Sequence, residues 1–396
     1  MPQTLQGLTV VDLTQNVAGP YCTQLLGDFG ATVLKVERPR TGDDSRSWAP
    51  RTRQDEAATF LALNRNKKSI CVDLDHPMGQ DVLRKLAAKA DLFVHSMRPD
   101  SVESRGLGYE RLSAENPALI YCSVSAFGEV GPLKNLPGYD PLIQAYTGIM
   151  GVTGHPGQPP ARAGVSIIDM ATGMWAFIGI LAAVLERSRT GQGGKVTASL
   201  LETGVAWMAL LATHYMATGQ VPEKAGSGSP MIAPYEAFQT ADSWMLIAAG
   251  NDRLFANLCR VLDAPGLIAD PRFVTNKQRV INRAELHRII EERTKQERSE
   301  QWVQLMRNAG VPCSSINTVD KLFDDAQVDA LEMIKPAPSF KIPDFKIVDV
   351  AVTINGQKAS LDLGPPALGS HTDEILRWAG FAEDQMASLR KERAVS

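Results

Sequence analysis

The stretch GVSIIDMATGMWAF, residues 164–177, sets one ionisable carboxylate, Asp169, between two runs with the composition of buried core. An acid is costly to bury without hydrogen bonds or a countercharge. Asp169 follows a small and β-branched run and precedes a long apolar helix, the place of an N-cap, where the dipole and free amides favour an anion. A fixed, ionised carboxylate at the edge of a sheet is also what carboxylate nucleophilic catalysis needs. The residues alone leave both roles open, with the cap the commoner one. A second set of groups is cationic: Arg38 and Arg40 after TVLKVE, Arg65, Lys67 and Lys68 in LNRNKKS, and Arg98 and Arg105 after DLFVHS. Gathered at the carboxyl ends of strands, such groups would neutralise a phosphorylated ligand; the plainer reading is a set of solvated loops.

Other chemistries find little support. The six histidines show no HxH or HExxH spacing, there is no CxxC pair, and no metal site is expected. No GxSxG elbow occurs, so an activated serine is not indicated. The turn after the first strand reads QNVAGP, without the GxGxxG that brings a pyrophosphate onto a helix N-terminus, which speaks against a nicotinamide enzyme.

The elements that must carry these groups alternate. LTVVDLT, TVLKVE, SICVDL, DLFVHS and ALIYCSVSAF read as short buried strands, separated by helical stretches such as PYCTQLLGDFGA and the segment from Met78 to Ala90. That alternation predicts a parallel sheet covered by helices, with ligands beyond the carboxyl ends of its strands. The apolar run Met170–Leu185 is 16 residues long with two glycines, shorter than a membrane span requires, and reads as a core helix. From about Gly191 the texture changes; two short strands (APYEAFQT, WMLIAAG) and polar helices near 254–262 and 283–309 predict a smaller α/β unit. EKAGSGSP and the Pro-rich stretch near 336–343 are the natural connections. The expected division is therefore 1–224, 225–329 and 330–396.

At 396 residues two domains are the leading prior. A net charge of −3, spread throughout, argues against nucleic acid or an anionic membrane as partner. Five widely spaced cysteines and an N-terminus without an apolar leader predict a cytoplasmic protein with reduced thiols.

Several segments, in order along nearly the whole chain, resemble the family III CoA-transferases, the group that includes formyl-CoA:oxalate and carnitine CoA-transferases. They include GLTVVDLTQNVAGPYCTQLLGDFGATVLKVERP, LNRNKKSICVDL, PGYDPLIQAYTGIMG, IIDMATGMWAFIGILAAVLERSRTGQGGKV, APYEAFQTADSWMLIAAGND, DPRFVTNKQRVINRAEL, AGVPCSSINTV and LGSHTDEIL. The resemblance implies that Asp169 is the nucleophile, forming in turn an aspartyl anhydride and an aspartyl-CoA thioester, with amides at the helix start stabilising the oxyanions. It implies CoA contacts at Val17, Ala18 and Arg38, at Val72, Asp73, Leu74 and Asp75, at Ser96, Met97 and Arg98, and in the Pro137–Asp140 turn with Tyr139 and Asp140. Where the family usually has arginine, ESRGLG places Ser104, and Arg105 beside it is the candidate replacement. The loop AAGND, with Gly250 and Asn251, matches the family's glycine-rich loop over the substrate. CoA thioesters and small carboxylic or dicarboxylic acids would be substrates, succinyl-CoA a first donor, and no cofactor would be tightly bound. The implied fold is α/β, a large Rossmann-like domain with a parallel sheet plus a smaller α/β domain, with 330–396 a return segment that completes the large domain, in an interlocked, ring-shaped homodimer. The racemase branch of the same superfamily is the alternative; it pairs its aspartate with a histidine in a Gly-His-Asp turn. Here that turn is Gly138-Tyr139-Asp140, and a phenol is a poor general base at neutral pH. A non-catalytic acyl-CoA-binding protein is a third reading, against which the retained Asp169 argues.

Overall fold

The computed structural model describes residues 3–52, 54–339, 341–359 and 361–396. Phe340, within the Pro-rich stretch, lies outside the described residues. Two compact units are present: one made of 1–147, 163–212 and 326–396, the other of 148–162 and 213–325.

The larger unit is built on six parallel strands: β1 (Thr9–Leu13), β2 (Thr32–Glu37), β3 (Lys67–Cys71), β4 (Leu92–His95), β5 (Ile120–Ser125) and β6 (Gly194–Ser199). Their order, β3-β2-β1-β4-β5-β6, reverses direction between β1 and β4, the switch point at which doubly wound sheets open a crevice. Alternation along each strand feeds two cores. Val11, Leu34, Ile70, Phe93 and Tyr121 face one side, where they meet the helix α2 (Pro77–Lys89). Val10, Val33, Leu92, Ile120 and Cys122 face the other, covered by the helices α1 (Ala18–Asp28) and α4 (Ile167–Thr190). Between those two helices lies α3 (Asp140–Tyr146) in chain order.

The apolar run expected as a core helix is the middle of α4. It is long and apolar enough to cross a membrane by length and composition, yet it buries one face against α1, with Phe29 and Phe177 ring centroids 5.1 Å apart. Gly173 permits the approach: a Cβ there would sit 2.6 Å from the Ala18 carbonyl oxygen. Strand β3 begins two residues earlier than SICVDL suggests, because Lys67 is itself buried in the sheet. The Pro-rich stretch forms part of a short antiparallel pair, Ile334–Pro336 with Lys346–Val348.

The smaller unit has three antiparallel strands, β7 (Tyr235–Gln239), β8 (Trp244–Ala248) and β9 (Cys313–Ser315), around a core of Phe238, Met245, Ile247, Phe255, Phe273 and Met306. The helical region expected over 283–309 is two helices, Arg283–Thr294 and Ser299–Asn308.

Candidate functional site

In the larger unit a cavity of about 1120 Å³ lies over the carboxyl ends of all six parallel strands. Its wall is assembled from Leu13 at the end of β1 and Gln15–Gly19 after it, Arg38–Thr41 after β2, Asp73–Asp75 after β3, Ser96–Pro99 after β4, Val124–Ala126 at the end of β5 and Leu200 after β6. Parallel strands leave their last carbonyls and following turns at one edge, so groups far apart in sequence converge there.

Asp169 stands in this wall, within the first turn of α4. It is not the N-cap: Ser166 is, and Asp169 lies three residues further in. The amides expected to stabilise it are taken. The Ile168 and Asp169 N–H groups donate to Asp140 Oδ2, at 2.7 and 3.2 Å, and the Ile167 N–H donates to the Val165 carbonyl at 2.9 Å. Asp140 is buried and braced by the Gln144 amide, 2.6 Å from its Oδ1. Among the described residues no donor reaches the Asp169 carboxylate. Burial, and then the Asp140 carboxylate, push its pKa up to about 7. The expectation of a dipole-stabilised, fully ionised acid is thus reversed: Asp140 occupies the helix end, and Asp169 is left with a like charge and poor solvation.

Most of the residues expected to contact a phosphorylated ligand converge on the same cavity. Val17, Ala18, Arg38, Asp73, Leu74, Asp75, Ser96, Met97, Arg98, Arg105, Tyr139 and Asp140 all line it. Val72 does not; it is fully buried and bridges to Val395. Of the expected cations, Arg65, Lys67 and Lys68 are elsewhere. Arg65 pairs with Asp28 at 2.6 Å, Lys67 is buried beside Asp12 at 3.1 Å, and Lys68 meets Glu374. Arg40 and Lys134 join Arg38, Arg98 and Arg105 in the wall. Trp48, Gln15 and Asn16 are further wall residues with no signal in the sequence beyond lying in turns after strands.

The turns are held from below by buried charge. Asp12, Lys35 and Lys67, on β1, β2 and β3, are fully buried, and Asp12 lies opposite Lys35 in register. Lys35 Nζ donates to Asp43 Oδ2 at 2.9 Å and to the Thr14 carbonyl at 3.1 Å, while Asp43 Oδ1 accepts from the Asn16 amide at 3.1 Å. One ion pair therefore ties both the 14–18 and 38–48 segments, and Asn16 is held at φ 71°. Burial alone would raise Asp12, but Lys67, Lys35 and two threonine hydroxyls hold it below the usual carboxylate range. Burial pulls the Lys67 ammonium down to about 8 despite Asp12. Behind the 96–98 turn, burial brings His95 down to about 4, so its neutral ring accepts the Met97 N–H on Nδ1 at 3.1 Å.

In the smaller unit, Gly250 and Asn251 follow β8. Asn251 Oδ1 caps the helix Asp252–Val261 by accepting from the Leu254 N–H at 2.9 Å. The buried Arg279 braces this turn by donating to Asp252 Oδ1 at 2.8 Å and to the Ala233 and Phe273 carbonyls. Among the described residues no group of three or more metal-ligating side chains is assembled.

A Rossmann-like sheet with a half-buried acid and several cations at its switch-point crevice defines an α/β protein suited to acyl chemistry on a polyanionic ligand. The chain belongs to CoA-transferase family III, whose model matches residues 5–372. It is 37% identical to human succinyl-CoA:glutarate CoA-transferase over 373 residues, 94% of this chain and 85% of that protein. It is 36% identical to succinyl-CoA–D-citramalate CoA-transferase of Chloroflexus aurantiacus over 396 residues, covering 100% and 98%. The crystal structure of a CAIB/BAIF family protein from Brucella suis matches with a TM-score of 0.87 and 37% identity, over 96% of this chain and 100% of that one.

Proposed function

We propose that this CoA-transferase moves CoA from a small acyl-CoA, succinyl-CoA first, to a dicarboxylic acid, with Asp169 as the covalent carrier. The observation that carries the reading is a carboxylate without donors among the described residues, in the wall of a cation-bearing cavity, in a chain similar to transferases named for succinyl-CoA. An Asp169 oxygen attacks the donor thioester carbonyl; the C–S bond breaks, and CoA leaves as thiolate from a mixed anhydride. The thiolate then attacks the Asp169 carbonyl, releasing the donor acid as carboxylate and leaving an aspartyl-CoA thioester. The acceptor carboxylate displaces the thiolate to form a new anhydride, and thiolate attack on its acyl carbonyl yields product and restores Asp169. Acylation removes the charge that burial and Asp140 disfavour, so the raised pKa favours the covalent states. Because the α4 amides are engaged, the oxyanions must draw on other donors in the wall.

Arg38, Arg40, Arg98, Arg105 and Lys134 are assigned to the phosphates of CoA, and Gly250 and Asn251, from the resemblance, to the acceptor. The protein would act in the cytoplasm without a resident cofactor. The exposed apolar side chains Met174, Trp175, Ile178 and Leu185 on α4, with Val205, Trp207 and Leu210 after it, are a surface suited to a homodimer. The test offers succinyl-CoA and acetyl-CoA with a panel of carboxylic acids and separates the CoA thioesters by chromatography. New thioesters and an adduct on the Asp169 peptide are expected, with Asp169→Ala losing at least about 10³-fold in turnover. Absence of any exchange, with deuterium entering the α-carbon of a 2-methylacyl-CoA instead, would replace this reading by racemisation.

A further inference from the structure

The wall of the cavity carries five cations, yet it also carries five carboxylates, Asp44, Asp73, Asp75, Asp140 and Asp169. A site for a polyanion would gain from an excess of positive charge, so the carboxylates call for a reason. Two of them are paired with cations of the wall. Asp44 Oδ1 meets Arg38 Nη2, and Asp75 Oδ1 meets Arg105 Nη2 at 2.5 Å. The arginines keep other anchors: Arg38 Nε donates to the Gly42 carbonyl, and Arg105 Nη1 donates to the Ser101 hydroxyl at 2.7 Å. The Asp75 side chain is 81% exposed against 26% for Arg105, so the carboxylate is the partner free to swing into water. Arg40, Arg98 and Lys134 carry no side-chain hydrogen bond or ion pair among the described residues.

We propose that Asp44 and Asp75 are latches: each holds a phosphate-binding arginine in the unliganded protein and is displaced by a phosphate oxygen when a CoA thioester binds. The inference rests on the CoA reading above. Exposed ion pairs are weak, and a phosphate carries more charge than a carboxylate, so displacement is easy but not free. The arginines stay oriented before ligand arrives, while affinity for every CoA thioester is held down. An enzyme that must release one thioester after making it from another gains from that restraint, since over-tight binding of substrate and product alike does not raise turnover.

Calorimetric titration of the intact protein with CoA, 3′-dephospho-CoA and pantetheine tests this. Asp44→Asn and Asp75→Asn are each expected to bind CoA about 2- to 5-fold tighter than wild type at low salt. The gain should shrink at about 0.5 M salt and vanish with pantetheine, which has no phosphate. In an Arg105→Leu background, Asp75→Asn should bring no gain, because its effect runs through that guanidinium. Asp75→Ser provides a second variant with the charge removed. The latch is overturned if either asparagine variant binds CoA no tighter than wild type, or if the Asp75 gain survives without Arg105. A wild-type protein that binds no CoA overturns the functional reading as well, whereas binding without a gain overturns the latch alone.

Discussion

Asp12 and Asp169 are both carboxylates of the larger unit, near the carboxyl edge of the same sheet, and their surroundings treat them in opposite ways. Asp12 is fully buried but receives Lys67 Nζ at 3.1 Å and the Thr14 and Thr23 hydroxyls, and it is held below the usual carboxylate range. Asp169 is less deeply buried, receives no donor among the described residues, faces Asp140, and is pushed up to about 7. Depth of burial is therefore not what sets the ionisation of these two acids apart; compensation is. The buried network gives position, and the lack of compensation is what suits Asp169 to the role proposed for it.

The largest effect is expected on the compensated side. Lys35→Met leaves Asp43 buried without its cation and is expected to cost about 3–5 kcal/mol in urea unfolding. A loss within experimental error would mean that the network is not what holds the 14–18 and 38–48 turns.

On the uncompensated side the sign is opposite. A carboxyl whose folded pKa is raised from 3.8 to about 7 contributes stability that is fully present below pH 3.8 and lost as pH rises through 7. Asp169→Asn should therefore match wild type near pH 4 and be more stable at pH 8, on the order of 1–4 kcal/mol. Equal stability at both pH values would show that Asp169 ionises without penalty.

The same shift predicts a kinetic limb. The proposed attack by Asp169 requires its ionised form, so kcat/KM for acyl-CoA should fall as pH drops below about 7. Removing the second cause with Asp140→Asn should carry that limb to lower pH, and an unmoved limb would show that Asp140 is a cap and nothing more. The smallest effect concerns a neutral positioning group. His95→Asn keeps an acceptor where Nδ1 meets the Met97 N–H, and it should stay within about twofold of the wild-type KM for acyl-CoA. His95→Leu should raise KM about 3- to 10-fold with kcat little changed. Similar KM values for the two variants would remove His95 from the account of the 96–98 turn.

Much of the fold is legible in the residues. β-branched runs spaced by helical stretches specify parallel strands and covering helices, and strand alternation selects the two cores without knowledge of what lies opposite. Asp169 stands out because one acid in an apolar run is visible locally. Its electrostatic state is not visible, because it depends on Asp140, 29 residues earlier, reaching the same helix end. Arg65, Lys67 and Lys68 look like Arg98 and Arg105 in sequence, a cation near a strand. Which of them line the cavity depends on the end of the strand at which they stand: Lys67 begins β3 and pairs with Asp12, whereas Arg98 follows the carboxyl end of β4 and lines the crevice.

The sequence by itself determines what depends on neighbours along the chain: strand and helix periodicity, the acid at the start of α4, and the motifs that mark the family. The tertiary structure alone decides which charges are neutralised by partners, which amides of α4 are taken, and which turns close around one cavity. Ionisation and reactivity follow from distances across strands and between segments, and those distances exist only once the sheet order β3-β2-β1-β4-β5-β6 has brought six strand ends to one edge.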